Sequence, residues 1–233
     1  MIKDEPPINN WSDLSTLVAQ QFKQRWIYRG VRKSSYTLRA GIGREGARRN
    51  ANGLDLPHEV AEEQRLLRQF IREGRAKFEW EPKTQLEWMI LGQHHRLPTR
   101  LLDWSESLVV AAFFAVEDPR FEAAIYGVEV PAELEDLTMD PFGTEIGEIP
   151  RLIRPPHINP RITAQTAVLT LHPRPDQDWK ADGIHRWKIP KEATFTLKGI
   201  LDFNGVHAAS LFPDSADRHT EHLAWLHKRS RLS

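Results

Sequence analysis

Apolar residues recur at helical spacing in five segments of the chain, most of them in its first half. In the first segment, Ser12 is placed to cap a helix whose apolar face carries Leu14, Leu17, Val18 and Phe22. The spacing predicts further helices over residues 57–74, 84–92, 106–117 and 214–227. The fourth of these five helices is apolar on most sides, which indicates that it is buried.

Runs of aromatic and β-branched residues predict short strands, most of them in the second half of the chain. These strands cover residues 26–28, 36–40, 124–130, 166–172, 184–189 and 194–201. Residues 41–53 are rich in Gly, Arg and Asn without any periodicity, which predicts a loop. Because helices and strands are segregated along the chain, the pattern favours a single α+β domain with a mixed or antiparallel sheet.

Composition narrows the class of protein. A hydrophobic fraction of 40% indicates a globular chain, and the absence of cysteine excludes disulfides, thiolate metal sites and a cysteine nucleophile. The longest nearly apolar run, residues 108–116, is too short to span a bilayer, and the N-terminus lacks the apolar core of a signal peptide. We therefore expect a soluble, cytoplasmic protein with no membrane partner.

Charge is balanced overall but divided along the chain. The 32 basic and 32 acidic residues cancel, yet residues 20–50 hold nine Lys or Arg against one acid. Residues 131–148 hold six acids and no base, and the segment 151–191 is basic again. Such a distribution allows one face to attract a polyanion while the protein stays neutral. The alternative is a solvated surface on which the charges cluster by chance.

Several generic motifs are present without the context that they need. Residues 41–46 match G-x-G-x-x-G, but no apolar helix follows, as a dinucleotide fingerprint requires. His219 and His222 share a helix face, but no further ligands complete a metal pattern, so no metal is expected. The tryptophans at helical apolar positions are interpreted as core residues: Trp11, Trp88 and Trp225.

The segment from residue 93 to residue 105, QHHRLPTRLLDWS, carries the most chemistry. Pro98 favours an extended backbone at Leu97, so the chain leaves the preceding helix there. Asp103 then comes near the end of a strand, just before a helix N-terminus, where anions are favoured. We interpret the segment as a functional site. The alternative is a structural salt bridge between Arg100 and Asp103 that orients the turn.

Four motifs of this chain resemble those of the FRG domain family. They are Tyr28-Arg29-Gly30, the run from Gln93 to Trp104 with the apolar helix after it, Arg161 with a Gln165 that opens a strand, and Leu211 to Asp214. The resemblance extends from residue 26 to residue 226 and implies one FRG domain over residues 1–233. Two departures affect the site: His95 replaces the usual aromatic residue, and the glycine expected two residues after Gln165 is absent.

The order of these motifs is similar to that of ADP-ribosyltransferases, which implies a split sheet with a central cleft that binds NAD as a substrate. By this resemblance Arg29 holds the diphosphate or ribose, and Gly30 lets the backbone approach the nicotinamide amide. Gln165 hydrogen-bonds the ribose hydroxyls. His94 and Asp103 steady the loop or act as the base that readies the acceptor.

The same motifs place further residues at the cofactor. These are Arg100, Trp104, Ser105 and Arg161. Each assignment has a structural alternative: Arg29 pairs with an acid inside the fold, Gln165 satisfies backbone groups at a strand end, and Trp104 packs beneath the site.

Two hypotheses about function therefore remain. The first is an NAD-dependent ADP-ribosyltransferase that modifies DNA, RNA or protein, as a toxin or defence effector with an antitoxin or inhibitor partner. In that case the Arg-rich loop 41–53 contacts the phosphates of a nucleic-acid acceptor. The second is a non-enzymatic module that binds a nucleotide or nucleic acid. A hydrolase acting through His94 and Asp103 is a more distant third.

Overall fold

The computed structural model describes residues 1–44, 59–78, 80–130, 137–157 and 159–229. Its centre is one seven-stranded mixed sheet. In chain order the strands are β1 (Lys3–Glu5), β2 (Trp26–Val31), β3 (Leu101–Ser105), β4 (Ala123–Glu129), β5 (Arg151–Ile153), β6 (Ala167–Leu171) and β7 (Ile184–Ile189). Across the sheet they lie in the order β1-β7-β4-β2-β3-β6-β5, and all neighbours are antiparallel except β1 and β7.

The described helices flank this sheet. They are α1 (Trp11–Gln21), α2 (Val60–Gly74), α3 (Gln85–His94), α4 (Leu108–Ala115), α5 (Pro160–Ala164), α6 (Lys191–Phe203), α7 (Ala208–Leu211) and α8 (Ala216–Arg229). The α+β class predicted from the sequence is therefore confirmed. None of the helices in these described ranges is both long enough and apolar enough to cross a membrane.

The sheet is nearly divided between β2 and β3. These two strands share one paired position, Tyr28 with Ser105. By contrast, β2 pairs with β4 from Trp26 to Val31, and β3 pairs with β6 from Leu101 to Ser105. Two well-paired halves therefore meet at a single bridge.

Apolar side chains cover both faces of the sheet. On one face, β2, β4 and β7 pack against α1, α4 and α6, while β3, β6 and β5 pack against α2 and α3. On the other face, Leu102, Trp104 and Tyr126 pack against Leu38 and Trp179, which lie in connecting segments. Successive residues of a strand point to opposite faces, so Asp103 and Ser105 face the α3 side and Trp104 faces away.

Two predicted strands are wrong. Residues 36–40 form a connection in which Leu38 is buried and its carbonyl accepts from the main-chain amide of Trp179. Residues 194–201 belong to α6, because its buried positions Ala193, Leu197 and Leu201 recur every four residues. Both segments are apolar and buried, but apolar content does not identify the element by itself.

Helix starts were predicted less well than helix positions. Asn10 caps α1 and Ser107 caps α4, each two residues from the serine expected. Thr84, the first residue of the predicted helix 84–92, is the N-cap of α3, and Glu87 completes a capping box there. The predicted start at Pro57 lies outside the described residues.

Candidate functional site

Arg29 lies in the gap between β2 and β3. Its Nη1 donates to the main-chain carbonyl of Asp103 over 2.6 Å and lies 3.9 Å from Oδ2 of the same residue. The side chain is 17% exposed, and Nε is buried with no acceptor among the described residues. Burial lowers the pKa of Arg29 to about 10. The guanidinium is therefore charged at neutral pH and has few anionic partners.

The Asp103 carboxylate is held from one side and open on the other. Gln93 Nε2 donates to Asp103 Oδ1 over 2.6 Å. The Thr99 hydroxyl in turn donates to Gln93 Oε1, which fixes the orientation of the amide. The Asp103 side chain remains 66% exposed. It can therefore contact a ligand in the gap while the end of α3 holds it in place.

Gly30 allows α4 to lie directly on the sheet. A Cβ added to Gly30 would lie 1.9 Å from the carbonyl oxygen of Ala111 and 2.6 Å from the amide nitrogen of Ala115. Both are backbone atoms of a buried helix, so neither can move aside cheaply. The motif Tyr28-Arg29-Gly30 thus places a cation in the gap and a backbone contact next to it.

Ser105 ties the end of β3 to the segment before β6. Its Oγ donates to the main-chain carbonyl of Gln165 over 2.7 Å and accepts from the amide of Ser107 over 3.0 Å. The second bond fixes the turn into α4. The hydroxyl therefore holds two parts of the candidate site together, and these hydrogen bonds occupy it in the absence of a ligand.

Gln165 does not open a strand, so the prediction about its element is wrong. It follows α5 as the C-cap, and β6 begins at Ala167. The short helix forms because Asn159 caps it and Pro160 occupies its first turn. Gln165 Nε2 donates to the main-chain carbonyl of Leu211 over 2.9 Å, so the side chain satisfies a backbone group, as in the structural alternative.

His94 lies beside α5 and the turn that follows α7. Asn159 Oδ1 accepts from the amide of Ile162, which leaves Nδ2 to donate to His94 Nδ1 over 3.2 Å. His94 Nε2 lies 4.0 Å from Asp214 Oδ2. Burial, with a smaller contribution from Arg161, lowers the pKa of His94. The neutral ring thus carries its proton on Nε2, toward Asp214, and Asn159 occupies the basic nitrogen.

Arg161 forms an ion pair with the same carboxylate. Its Nε donates to Asp214 Oδ1 over 2.6 Å, and its guanidinium carbon lies 5.4 Å from the centre of the Phe212 ring. Gln93 and His94 are consecutive at the end of α3, so they join this group to the one around Asp103. The structure thus links Arg29, Asp103, Ser105, Gln165, His94 and Arg161 through described contacts.

Arg100 points away from that group. Its Nε and Nη2 donate to both oxygens of Glu63 over 2.9 to 3.1 Å, and both side chains are 3% exposed. The guanidinium carbon also lies 4.8 Å from the centre of the Phe142 ring. This buried pair replaces the structural salt bridge to Asp103 that the sequence offered as an alternative. It attaches α2 to the start of β3, so Arg100 does not face the gap.

Trp104 packs on the face opposite to Asp103. It is 4% exposed, and its indole nitrogen donates to Thr170 Oγ1 over 2.9 Å. Thr170 Oγ1 also forms a hydrogen bond with His172 Nε2 over 2.8 Å. Trp104 is thus placed as a packing residue, the structural alternative, and not as a stacking surface.

His172 is a member of this neighbourhood that sequence reasoning missed. Burial, with a smaller contribution from the Arg29 charge, lowers the pKa of His172 to about 4. Its position at the end of a predicted strand was visible in the sequence. Nothing in the sequence indicated that it lies close enough to Arg29 to feel that charge.

The predicted Arg-rich loop is described over its first four residues. Gly41–Gly43 form one 3₁₀ turn in which the amide of Ile42 donates to the carbonyl of Thr99 over 3.0 Å. Arg44 is exposed, and its positive charge contributes to lowering the pKa of Arg29. The rest of the loop, including Arg48 and Arg49, lies outside the described residues.

The described ranges contain histidines and carboxylates close to one another, but not in a metal-binding arrangement. No group of three or more His, Cys, Asp or Glu residues there could hold a metal ion. His222 lies 3.1 Å from Asp202 Oδ1, and its ring stacks on His207 at 3.9 Å between centres. The histidine pair that the sequence suggested, His219 and His222, is therefore not part of such a group.

The comparison with family models finds one match. Residues 24–123 match the model of the FRG domain, which confirms the resemblance carried by the first two motifs. The match runs from just before β2 to the start of β4 and so includes Arg29, Gly30, His94 and Asp103. It covers less than half of the 233 residues. No curated protein and no solved structure matches the chain.

Proposed function

From the FRG domain at residues 24–123, and from the split in the sheet, we propose that this chain binds NAD and transfers its ADP-ribose to an acceptor. The observation that carries the proposal is the position of Arg29. A charged guanidinium lies where β2 and β3 separate, with Nε lacking an acceptor among the described residues. An anionic diphosphate supplies the partner that this group lacks.

The reaction requires positioning more than it requires a strong base. Loss of nicotinamide from NAD passes through a cation-like ribose, so a site accelerates it by holding the cofactor and orienting an acceptor. Arg29 holds the diphosphate or ribose. Gln165 is fixed by its bond to the Leu211 carbonyl, so its Oε1 is oriented to accept from a ribose hydroxyl.

The base that readies the acceptor is assigned to Asp103 and not to His94. Asp103 is exposed, and Gln93 steadies one of its oxygens. His94 has its basic nitrogen occupied by Asn159 and directs its other nitrogen toward Asp214. His94 therefore steadies α5 and the turn at Asp214, which in turn places Gln165.

A nucleic-acid acceptor is the class that the charge distribution favours. Arg44 is exposed and lies close enough to Arg29 for the two positive charges to repel, and Arg48 and Arg49 follow it in the sequence. Lys and Arg contacts of this kind bind phosphates without reading sequence. The proposed partner is thus DNA or RNA, held beside the NAD site.

The test is transfer of label from NAD to DNA, RNA or lysate proteins. Wild type is compared with Arg29→Met and Gln165→Ala, and with Arg68→Met as an exposed control on α2. Label transfer that either site substitution abolishes, and the control preserves, supports the proposal. Binding of NAD without transfer to any acceptor would instead support a non-enzymatic nucleotide-binding module.

A further inference from the structure

A second cavity lies apart from the candidate site. It has a volume of about 440 Å³ and is enclosed by the end of α4 and by α6, α7 and α8. Its lining includes Phe113, Lys198, Asp202, Arg218 and Trp225. Arg29, Asp103 and Gln165 do not line it. The volume falls in the range of small-molecule sites in proteins, which is about 300 to 1,000 Å³.

Two hydrogen-bond donors in this cavity lack acceptors. Arg218 Nε and Trp225 Nε1 are buried and have no partner among the described residues. Both groups can only donate. Buried polar groups in folded proteins are normally paired, so each unpaired group needs an explanation. An oxygen-rich ligand would supply the missing acceptors.

The charges around the cavity leave one cation in excess. Five bases, Arg32, Arg120, Lys198, Arg218 and Arg229, stand against four acids, Glu117, Asp118, Asp202 and Glu221. Asp118 pairs with Arg120 over 2.7 Å, Glu117 and Glu221 both pair with Arg218, and Asp202 pairs with Arg229. Lys198 has no carboxylate within ion-pair distance in the described part of the chain. Its Nζ donates to the Glu117 carbonyl over 3.1 Å, which uses one of three protons.

Asp202 does not repel an anion from this cavity. Its side chain is 5% exposed and forms an ion pair with Arg229 over 2.5 Å. Its other oxygen, Oδ1, lies 3.1 Å from His222 Nδ1 and accepts no hydrogen bond within the described part of the chain. The carboxylate is thus paired from the α8 side. Lys198 interacts with Glu117 and Glu221 electrostatically but forms an ion pair with neither in the described ranges, so its ammonium can still pair with a ligand.

The apolar part of the lining is flat and aromatic. The Lys198 ammonium lies 4.7 Å from the centre of the Trp225 ring, and the Trp225 ring meets Phe195 edge to face at 5.0 Å. Phe113 and Val206 complete this surface. A ring placed here would pack on Trp225 with its polar end directed at Lys198.

We propose that this cavity is a second ligand site for a small aromatic molecule that carries one carboxylate or phosphate group. Lys198 supplies the charge, and Arg218 Nε and Trp225 Nε1 supply two further hydrogen bonds. The site is independent of NAD binding at Arg29.

The experiment measures binding of phenylacetate, phenyl phosphate and benzylamine to the full chain by calorimetry. We expect one or both anions to bind and benzylamine not to bind. Lys198→Gln is expected to weaken anion binding at least tenfold, and Trp225→Phe, which keeps a ring but removes the N–H, about threefold. The exposed Lys191→Gln is the matched control on the same helix, and its affinity should equal that of wild type.

Lys198→Arg is the second control. It keeps the positive charge, so it distinguishes loss of charge from a folding defect caused by substitution at this position. Its binding should stay close to that of wild type, and the unfolding temperature of each variant without ligand checks the fold. Tighter binding of phenylacetate or of phenyl phosphate shows whether the ligand carries a carboxylate or a phosphate, and either result supports the proposed site. The proposal is overturned if neither anion binds, if binding is the same in Lys198→Gln, or if benzylamine binds as tightly.

Discussion

Arg29 donates from Nη1 to the main-chain carbonyl of Asp103 over 2.6 Å, across the point where β2 and β3 separate. In a fully paired sheet, a carbonyl between two strands accepts from a backbone amide. Here a charged side chain takes that role, so the sheet can open while this carbonyl keeps a hydrogen-bond donor. The contact joins two separate motifs of the sequence and explains why both occur together.

The packing of α4 on β2 predicts a large effect of Gly30→Ala. The new methyl would meet the backbone of Ala111 and Ala115 at distances that no side-chain rotation relieves. We expect a loss of about 3 kcal/mol or more in the free energy of unfolding, at the upper end of overpacking substitutions. Urea denaturation measures it. Gly41→Ala is the control, because its nearest contact would be at 3.7 Å; an equal loss in both variants would refute the packing argument.

The ion pair between Arg100 and Glu63 predicts a stability effect without a direct role in binding. Arg100→Met removes the guanidinium that pairs with the buried Glu63 carboxylate, which costs about 3 to 5 kcal/mol. Adding Glu63→Leu to the same protein removes that charge and should recover much of the loss. Urea denaturation of the single and double variants gives the coupling. A double variant as unstable as Arg100→Met would contradict this account.

The low pKa of His172 predicts a loss of stability in acid. Above pH 6.5 the ring is neutral in both the folded and the unfolded chain, so it contributes no pH dependence. Between pH 6.5 and about 4 the unfolded chain takes up a proton that the folded chain does not. This costs about 3 kcal/mol over that interval. In His172→Gln the dependence should flatten by that amount; an unchanged slope would show that another group titrates.

The pKa of His172 also depends on the charge of Arg29. Because Arg29 is the second cause of the low pKa, Arg29→Met should raise the pKa of His172 toward its usual value. Nuclear magnetic resonance titration of the His172 ring follows this directly. A pKa of His172 that is the same in both proteins would mean that the two groups do not interact.

Gln165 and Arg29 are expected to affect different steps. Gln165→Ala removes an acceptor for the ribose hydroxyl, so transfer should slow by about 100-fold, equivalent to ~2.7 kcal/mol of transition-state stabilisation. NAD affinity should change little, because the diphosphate contact remains. Rates at saturating NAD and the binding constant separate the two effects. Equal losses of affinity in Gln165→Ala and Arg29→Met would contradict these roles.

The sequence predicted local features better than distant partners. The helix predicted from residue 84, the exit from α3 before Pro98 and the strand predicted at residues 26–28 all depend on neighbouring residues. The Asn159-Pro160 start of α5 was equally local, but we interpreted Gln165 as a strand opening by analogy with a family motif. In residues 193–201, apolar positions recur every four residues, which favours a helix. The β-branched content of the same segment led instead to the prediction of a strand.

Other relationships could not have been found from one sequence. Arg100, just before β3, pairs with Glu63, which lies 37 residues earlier on α2. The Coulombic effect of Arg29 on His172 depends on the order of β2, β3 and β6 across the sheet. Many acids compete for each arginine along a chain, so only the folded arrangement decides which pairs form. The same holds for the cavity at Lys198, whose walls come from four helices.

The central claim is that Arg29 binds NAD at the split between β2 and β3. Isothermal calorimetry of NAD with wild type, Arg29→Met and the control Arg68→Met tests it most directly. We predict that NAD binds wild type and Arg68→Met with equal affinity, and that Arg29→Met weakens binding at least tenfold, about 1.4 kcal/mol. No binding to folded wild type, or the same affinity in Arg29→Met, would contradict the claim.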